Sequence, residues 1–280
     1  MQSQDITNRR YSKQKNIAKR KCMMNQSERR IYLIQELLKE NAQYRGMEIP
    51  TNTEEQRLLL RGLMNIRMPH PVRKEVLEVQ DAYLQEEKKR KGIVKPDNLE
   101  EIQPGIILWQ GDITKLACDA IVNAANSGMT GCYVPNHRCI DNCIHTFAGM
   151  QLREECAEII EEQGYAEATG KAKITKAYNL PCKYILHTVG PIIQGTVTKK
   201  DCELLKSCYT SCLALAAENG LESVAFCCIS TGEFHFPNEK AAQIAVATVK
   251  EFLKQNTSVR KVIFNVFKDL DKAIYEGILQ

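Results

Sequence analysis

The sequence predicts an α/β protein, a sheet covered by helices on both faces, carrying an all-helical segment ahead of it. Three observations support this. Short apolar runs, "GIILWQ", "DAIVNAA", "AKIT", "YILHTVG", "SVAFCCIS" and "KVIFNVF", have the length of buried strands. Helical stretches over residues 140–163, 200–219, 238–255 and 270–279 separate most of them. Before residue 95 the strand-like runs are absent and only helical stripes remain.

In order along the chain, Ile31, Ile34, Leu37 and Leu38 form the first apolar stripe, with Ser27 as its expected cap. Thr51 and Glu54 have capping-box spacing ahead of "QRLLLRGLMNI", the second helix. "MPHP" breaks the pattern. Val76, Leu77, Val79, Tyr83 and Leu84 mark a third helix, expected to fray into "QEEKKRKG". The charged stretch from Glu86 to Glu101, with Gly92 and Pro96, reads as a linker. The expected units are a basic, disordered leader over 1–24, a helical appendage over 25–95 and the α/β domain over 96–280. Met23 and Met24 directly precede the first stripe, and the folded part is expected to begin there.

The net charge of +4 hides an asymmetry: residues 1–100 carry +7 and the remainder −3. Seven basic residues and no acid lie between Arg9 and Lys21, but Tyr11 is the only aromatic among them. A solvated tail fits this better than a nucleic-acid grip, and the core domain is slightly acidic. No apolar run of membrane-spanning length and no export signal is present, which places the chain in the cytoplasm, without a membrane partner. Twelve cysteines in 280 residues are too dilute for a disulfide framework and read as reduced thiols. Cys208, Cys212, Cys227 and Cys228 lie on apolar patterns and are expected in the core.

Open α/β sheets collect ligands beyond the carboxyl ends of their strands, so the loops there carry the functional reading. "GDIT", Gly111 to Thr114, follows the first strand. "STGEFHFPN", Ser230 to Asn238, follows the "AFCCI" strand and opens a helix, where backbone N–H groups suit a diphosphate. "NAANS", Asn123 to Ser127, offers carboxamides that read sugar hydroxyls or simply form a turn. Residues 131–149, "GCYVPNHRCIDNCIHTFAG", concentrate cysteine, histidine and aspartate on a loop leading into a helix. His145, His187 and His70 read as packing, capping or turn residues, while His235 is left open as a contact to phosphate or substrate.

"GDITKLACDAIVNAAN", "CIHTFAG", "YILHTVGP" and "STGEFHFP" occur in the order in which macrodomains carry them. From about residue 95 onward the chain resembles that family, whose members bind ADP-ribose and in several branches hydrolyse ADP-ribosyl linkages. The resemblance implies a three-layer α/β fold, a mixed central sheet between helices. Many hydrolytic macrodomains carry a glycine run and Val-Asp after the asparagines; here "GCYVPNHRCID" stands instead. That departure is similar to the zinc-containing branch, zinc-dependent protein ADP-ribose hydrolases, and implies one Zn²⁺ held by Cys132, His137 and Cys139. Cys-x4-His-x-Cys is not zinc-finger spacing, but thiolate and imidazole suit Zn²⁺, and Pro135 and Asn136 let the loop fold around one centre. Three ligands leave a coordination position open; Cys143, four residues past Cys139, would close it.

By the same resemblance Asp112, with Ile113 beside it, takes the adenine end and Phe267 stacks on the base. Asn126, with Asn123 before it, holds the distal ribose. Ser230, Thr231, Gly232, Glu233 and Phe234 wrap the diphosphate. Asp141 matches the aspartate of the Val-Asp step and is the first candidate to position or deprotonate water, unless it is merely an N-cap. Glu233 is a second carboxylate, and the metal would polarise a ribose oxygen or activate water. The implied activity is removal of mono-ADP-ribose from protein side chains, by a monomer. The alternative is a reader that binds ADP-ribose around a structural zinc. Some members of the branch are encoded beside a lipoyl-carrier protein, which makes such a carrier a candidate partner.

Overall fold

The computed structural model describes residues 24–44 and 46–280. The expected basic leader therefore lies outside the described residues, Met24 excepted. Three helices come first: α1 (Gln26–Glu40), α2 (Thr53–Ile66) and α3 (Lys74–Lys91). The caps differ from the sequence reading. Asn25, not Ser27, caps α1, its side chain accepting from Glu28 N–H while Glu28 accepts from Asn25 N–H. Asn52, not Thr51, caps α2, accepting from the amides of Glu54 and Glu55. Asparagine is a stronger cap than threonine at the second site, and at the first Asn25 has Glu28 three residues on to complete a capping box.

The third helix does not fray. It runs through "QEEKKRK" because Glu87 is buried and accepts hydrogen bonds from Gln26 and Arg90, and Gly92 at φ 82° ends it. The expected linker accordingly shrinks. Its first residues belong to α3, and a 3₁₀ turn (Pro96–Asn98) and strand β1 (Glu101–Gln103) follow.

The remaining strands are β2 (Ile106–Gln110), β3 (Ala120–Ala125), β4 (Ala172–Lys176), β5 (Tyr184–Val189), β6 (Ser223–Phe226) and β7 (Lys261–Val266). The sheet order is β1-β2-β7-β6-β3-β5-β4. Strands β2, β7, β6, β3 and β5 pair in parallel, and β1 and β4 add antiparallel edges, giving the expected mixed sheet. β1 escaped the sequence reading because it is short and largely exposed, without an apolar run.

The helix expected over 140–163 is two, α4 (Ile140–Ala148) and α5 (Met150–Gln163). Gly149, at φ 106°, divides them; a Cβ there would lie 2.7 Å from Gln80 Nε2. The last helices are α6 (Lys199–Glu218), α7 (Asn238–Phe252) and α8 (Asp269–Leu279). α4 packs on β3, α5 on β4, α6 on β4 and β5, and α8 on β2 and β7, with α7 between α6 and α8.

Two apolar clusters result. The larger surrounds the sheet and includes Ile107, Ile121, Leu186, Phe226 and Ile263, together with Cys208, Cys212 and Cys227. The smaller joins Leu33, Ile34, Leu37, Leu63, Val79 and Tyr83 of the N-terminal helices to Met150 of α5. No helix among the described residues is long and apolar enough to cross a membrane. Because β2, β3, β6 and β7 run parallel, the loops beginning at Gly111, Asn126, Cys227 and Phe267 all leave the same edge of the sheet.

Candidate active site

Within the loop after β3, the cysteine-bearing segment begins at Gly131, which only glycine fits: φ is 85°, and a Cβ would lie 2.8 Å from the His145 ring. The loop then folds back so that ligand atoms of Cys132, His137 and Cys139 all lie within 4.8 Å of one another, each residue half-buried. Cys132 Sγ is 3.4 Å from His137 Nδ1. Two thiols and an imidazole converging on one point fit a Zn²⁺-type cation by donor chemistry. Burial pushes the Cys139 thiol up to about 12, with Cys132 and Asp141 adding to the effect, so cation binding there would release a proton. Cys143 stands outside this group and accepts a hydrogen bond from Arg61 Nη2 at 3.4 Å.

Cys139 is also the N-cap of α4, its sulfur accepting the Asn142 N–H at 3.4 Å. Asp141 is therefore not the cap. It is 5% exposed, with Oδ1 accepting from Asn123 Nδ2 at 2.8 Å and Oδ2 from Asn126 Nδ2 at 3.3 Å. Burial raises its pKa to about 6 even against those two donors and Arg153. Asn126 also donates to Gly131 O at 3.1 Å and accepts from Gly128 N–H at 3.0 Å.

The assignment of Asn123 to ligand contact is corrected by its burial. At 0% exposed it holds Asp141 and lies 3.1 Å from His187 Nδ1, so it positions the carboxylate from beneath. His187 and His145 are core residues, as read. His187 also meets Thr175 Oγ1 at 2.9 Å, and His145 Nε2 lies 3.6 Å from Asp141 Oδ1.

Glu233 comes from the loop after β6, and its Oε1 lies 3.7 Å from His137 Nε2. That loop is closed by Phe236 N–H donating to Ser230 O at 2.9 Å and His235 N–H to Gly232 O at 3.1 Å. The Ser230–Gly232 turn does not itself open the helix, since α7 starts only at Asn238. Ser230 is buried at φ 65° against Gly190, where its Oγ leaves no room for a Cβ. Thr231 Oγ1 donates to Cys228 O at 3.0 Å, Gly232 and Glu233 are exposed, and Phe234 O accepts from Ile193 N–H at 2.9 Å. His235 is exposed in the same loop, and His70 is a surface residue beside Arg67.

Asp112 caps a 3₁₀ turn and accepts from Thr114 N–H at 3.0 Å and Thr114 Oγ1 at 2.6 Å. Its Oδ2 accepts from Lys91 Nζ at 3.0 Å, and that ammonium also sits 3.2 Å from the centre of the Phe147 ring. Burial opposes ionisation of Asp112, but Thr114 and Lys91 outweigh it and hold the carboxyl below its usual range. Ile113 is buried at 2% exposed, so its side chain belongs to the core and only its backbone can meet a ligand. Phe267 is 75% exposed, free to stack on a base.

Sequence reasoning missed Lys91, Arg61 and Asn65, which arrive from the N-terminal helices. One local signal existed. Gly62 inside α2 costs about 1 kcal/mol against alanine and marks a helix face that lies against the loop at Pro135 and Asn136.

Residues 122–245 match the Macro domain family model. A protein-ADP-ribose hydrolase of Treponema medium is 58% identical over 260 residues, 91% of this chain and 100% of the relative. One of Staphylococcus aureus is 51% identical over 247 residues, 88% of this chain and 92% of the relative. Among solved structures, the Trypanosoma brucei macrodomain in complex with ADP-ribose aligns with a TM-score of 0.62 at 29% identity, over 79% of this chain and 95% of that one. An Oceanobacillus iheyensis macrodomain mutant with ADPR aligns with a TM-score of 0.58 at 36% identity, over 65% of this chain and 95% of that one. Kinship of that degree over 91% of the chain, with the sheet order and loops described above, makes the chain a member of the Macro domain family.

Proposed function

We propose that this chain is a hydrolase that frees mono-ADP-ribose from modified protein side chains, and that its activity depends on zinc held by Cys132, His137 and Cys139. The observation that carries the reading is the joining of that triad to a buried carboxylate, Asp141, by a single turn between loop and helix. The relatives named as protein-ADP-ribose hydrolases, and the similar structures bound to ADP-ribose, support the substrate class.

A zinc ion in this triad would supply Lewis acidity toward a substrate oxygen or a water. The chain's own residues do the rest. Asn123 and Asn126 fix both oxygens of Asp141, so the carboxylate can hold a water in one orientation and take its proton as the glycosidic bond breaks. Glu233, exposed beside His137, is the second carboxylate within reach of the leaving side chain. Asp112 and Phe267 take the adenine end, and the exposed Gly232–Glu233 segment of the turn faces the diphosphate. These contacts spend binding energy on placing the anomeric carbon at the triad.

The test is release of free ADP-ribose from a mono-ADP-ribosylated protein, with a lipoyl-carrier protein offered first. Release is expected to stop on chelation and in Cys139→Ala. Full activity in metal-stripped protein would defeat the zinc assignment, and ADP-ribose binding without turnover on any modified protein would make the chain a reader.

A further inference from the structure

Helix α2 lies against the Cys132–Cys139 loop, and its side chains close the backbone of that loop. Arg61 Nη2 donates to His137 O at 2.7 Å and to Asn142 Oδ1 at 2.9 Å. Asn142, fully buried, donates through Nδ2 to Cys132 O at 3.3 Å and Val134 O at 3.0 Å. Its backbone N–H reaches Cys139 Sγ at 3.4 Å. All three triad residues are thus tied to one guanidinium, His137 directly and the two cysteines through Asn142.

One helical turn after Arg61, on the same face, Asn65 Oδ1 accepts the N–H of Asn136 at 2.9 Å. Asn136 is held at φ 58°, the point where the loop reverses. Gly62 between the two faces the same loop, where a Cβ would make ordinary contact with Asn136 Nδ2 at 3.4 Å and Pro135 Cβ at 3.7 Å.

We propose that Arg61 is a positioning residue of the cation site: by anchoring the carbonyl of His137 and the Asn142 hub, it sets the spacing of Cys132, His137 and Cys139 before a cation arrives. The N-terminal helices are then part of the site. This rests on the zinc reading above. Geometry and charge make opposite predictions here. A guanidinium beside a dication repels it, so if charge dominated, removing Arg61 would tighten zinc binding; if the anchor dominates, removal loosens it.

The experiment measures zinc affinity of the full chain by competition with a chromophoric chelator, and records the visible absorption of the Co²⁺-loaded protein. Arg61→Met is expected to bind zinc about 10–100-fold more weakly than the wild type, with altered Co²⁺ bands, and Arg61→Lys to recover part of the loss. Gln85→Ala, which loosens the same helix–domain interface at Asn179, is expected to leave zinc affinity unchanged. Should Arg61→Met fail to fold, Arg61→Gln reads the same quantity. Zinc affinity of the Arg61 variants within about threefold of the wild type, or tighter, overturns the proposal alone. A wild-type chain that takes up no zinc overturns it together with the zinc reading.

Discussion

Asp141 depends on its neighbours for everything it does: two carboxamides orient it, and burial lifts its pKa to about 6. Asp141→Ala is expected to cut the rate of ADP-ribose release by about 10²–10⁴ while leaving ADP-ribose affinity, measured by calorimetry, nearly unchanged. Loss of both in parallel would make Asp141 a folding residue. The sequence placed this aspartate in the site but read Asn123 as a ligand contact. An asparagine at a strand end looks the same whether it faces solvent or the core, and only the packing of α4 on β3 decides.

His187 carries a second residue-scale prediction. Burial lowers its pKa from 6.5 to about 3. Between those values the unfolded chain binds a proton there that the folded chain does not, so stability falls as pH drops through that window. One such group contributes up to about 1.4 kcal/mol per pH unit. Denaturant melts of zinc-free protein from pH 7 to 4 are expected to show a shallower acid slope in His187→Gln; identical slopes would refute the assignment.

Among the elements, the Gly131–Cys139 loop is tightly held at its first residue. Gly131→Ala places a Cβ on the His145 ring and forces an alanine to φ 85°, at a cost of about 1–3 kcal/mol read by urea melting. A change below the error of the melt would mean that the loop can shift. Helix boundaries were partly legible beforehand. The apolar stripes located α1, α2 and α6 to α8, because amphipathic spacing is a property of the local chain. The break between α4 and α5 at Gly149 was not, because a glycine inside a helical pattern is tolerated as often as it divides one. Here the division follows from Gln80, whose side chain accepts from Met150 N–H at 2.8 Å and occupies the space a Cβ would need.

At the scale of the whole molecule, the N-terminal helices complete the domain. Arg153 of α5, 5% exposed, donates to the carbonyls of Asn65 and Arg67 at 2.6 Å each, and its other face covers Tyr133 of the triad loop. Asp81 Oδ1 accepts from Gln151 and Asn179, and Lys91 grips Asp112. A chain beginning at Asn98 would take the carbonyl acceptors from Arg153 and expose Met150. It is expected to be poorly soluble or to melt well below the full chain; a soluble product with the same melting temperature would show the helices dispensable. By itself the sequence determined every strand but β1, the helical stripes and the residues of the triad loop, since periodicity, turn chemistry and motif order are written in neighbouring positions. Tertiary structure alone decided that Asn123 supports Asp141, that Glu233 meets His137 and that Arg61 and Asn65 hold the loop. The Arg61–His137 and Asn65–Asn136 contacts join residues 76 and 71 positions apart. Such pairings arise when helices dock and bury their polar groups in mutual hydrogen bonds, a requirement that leaves no periodic trace along the chain.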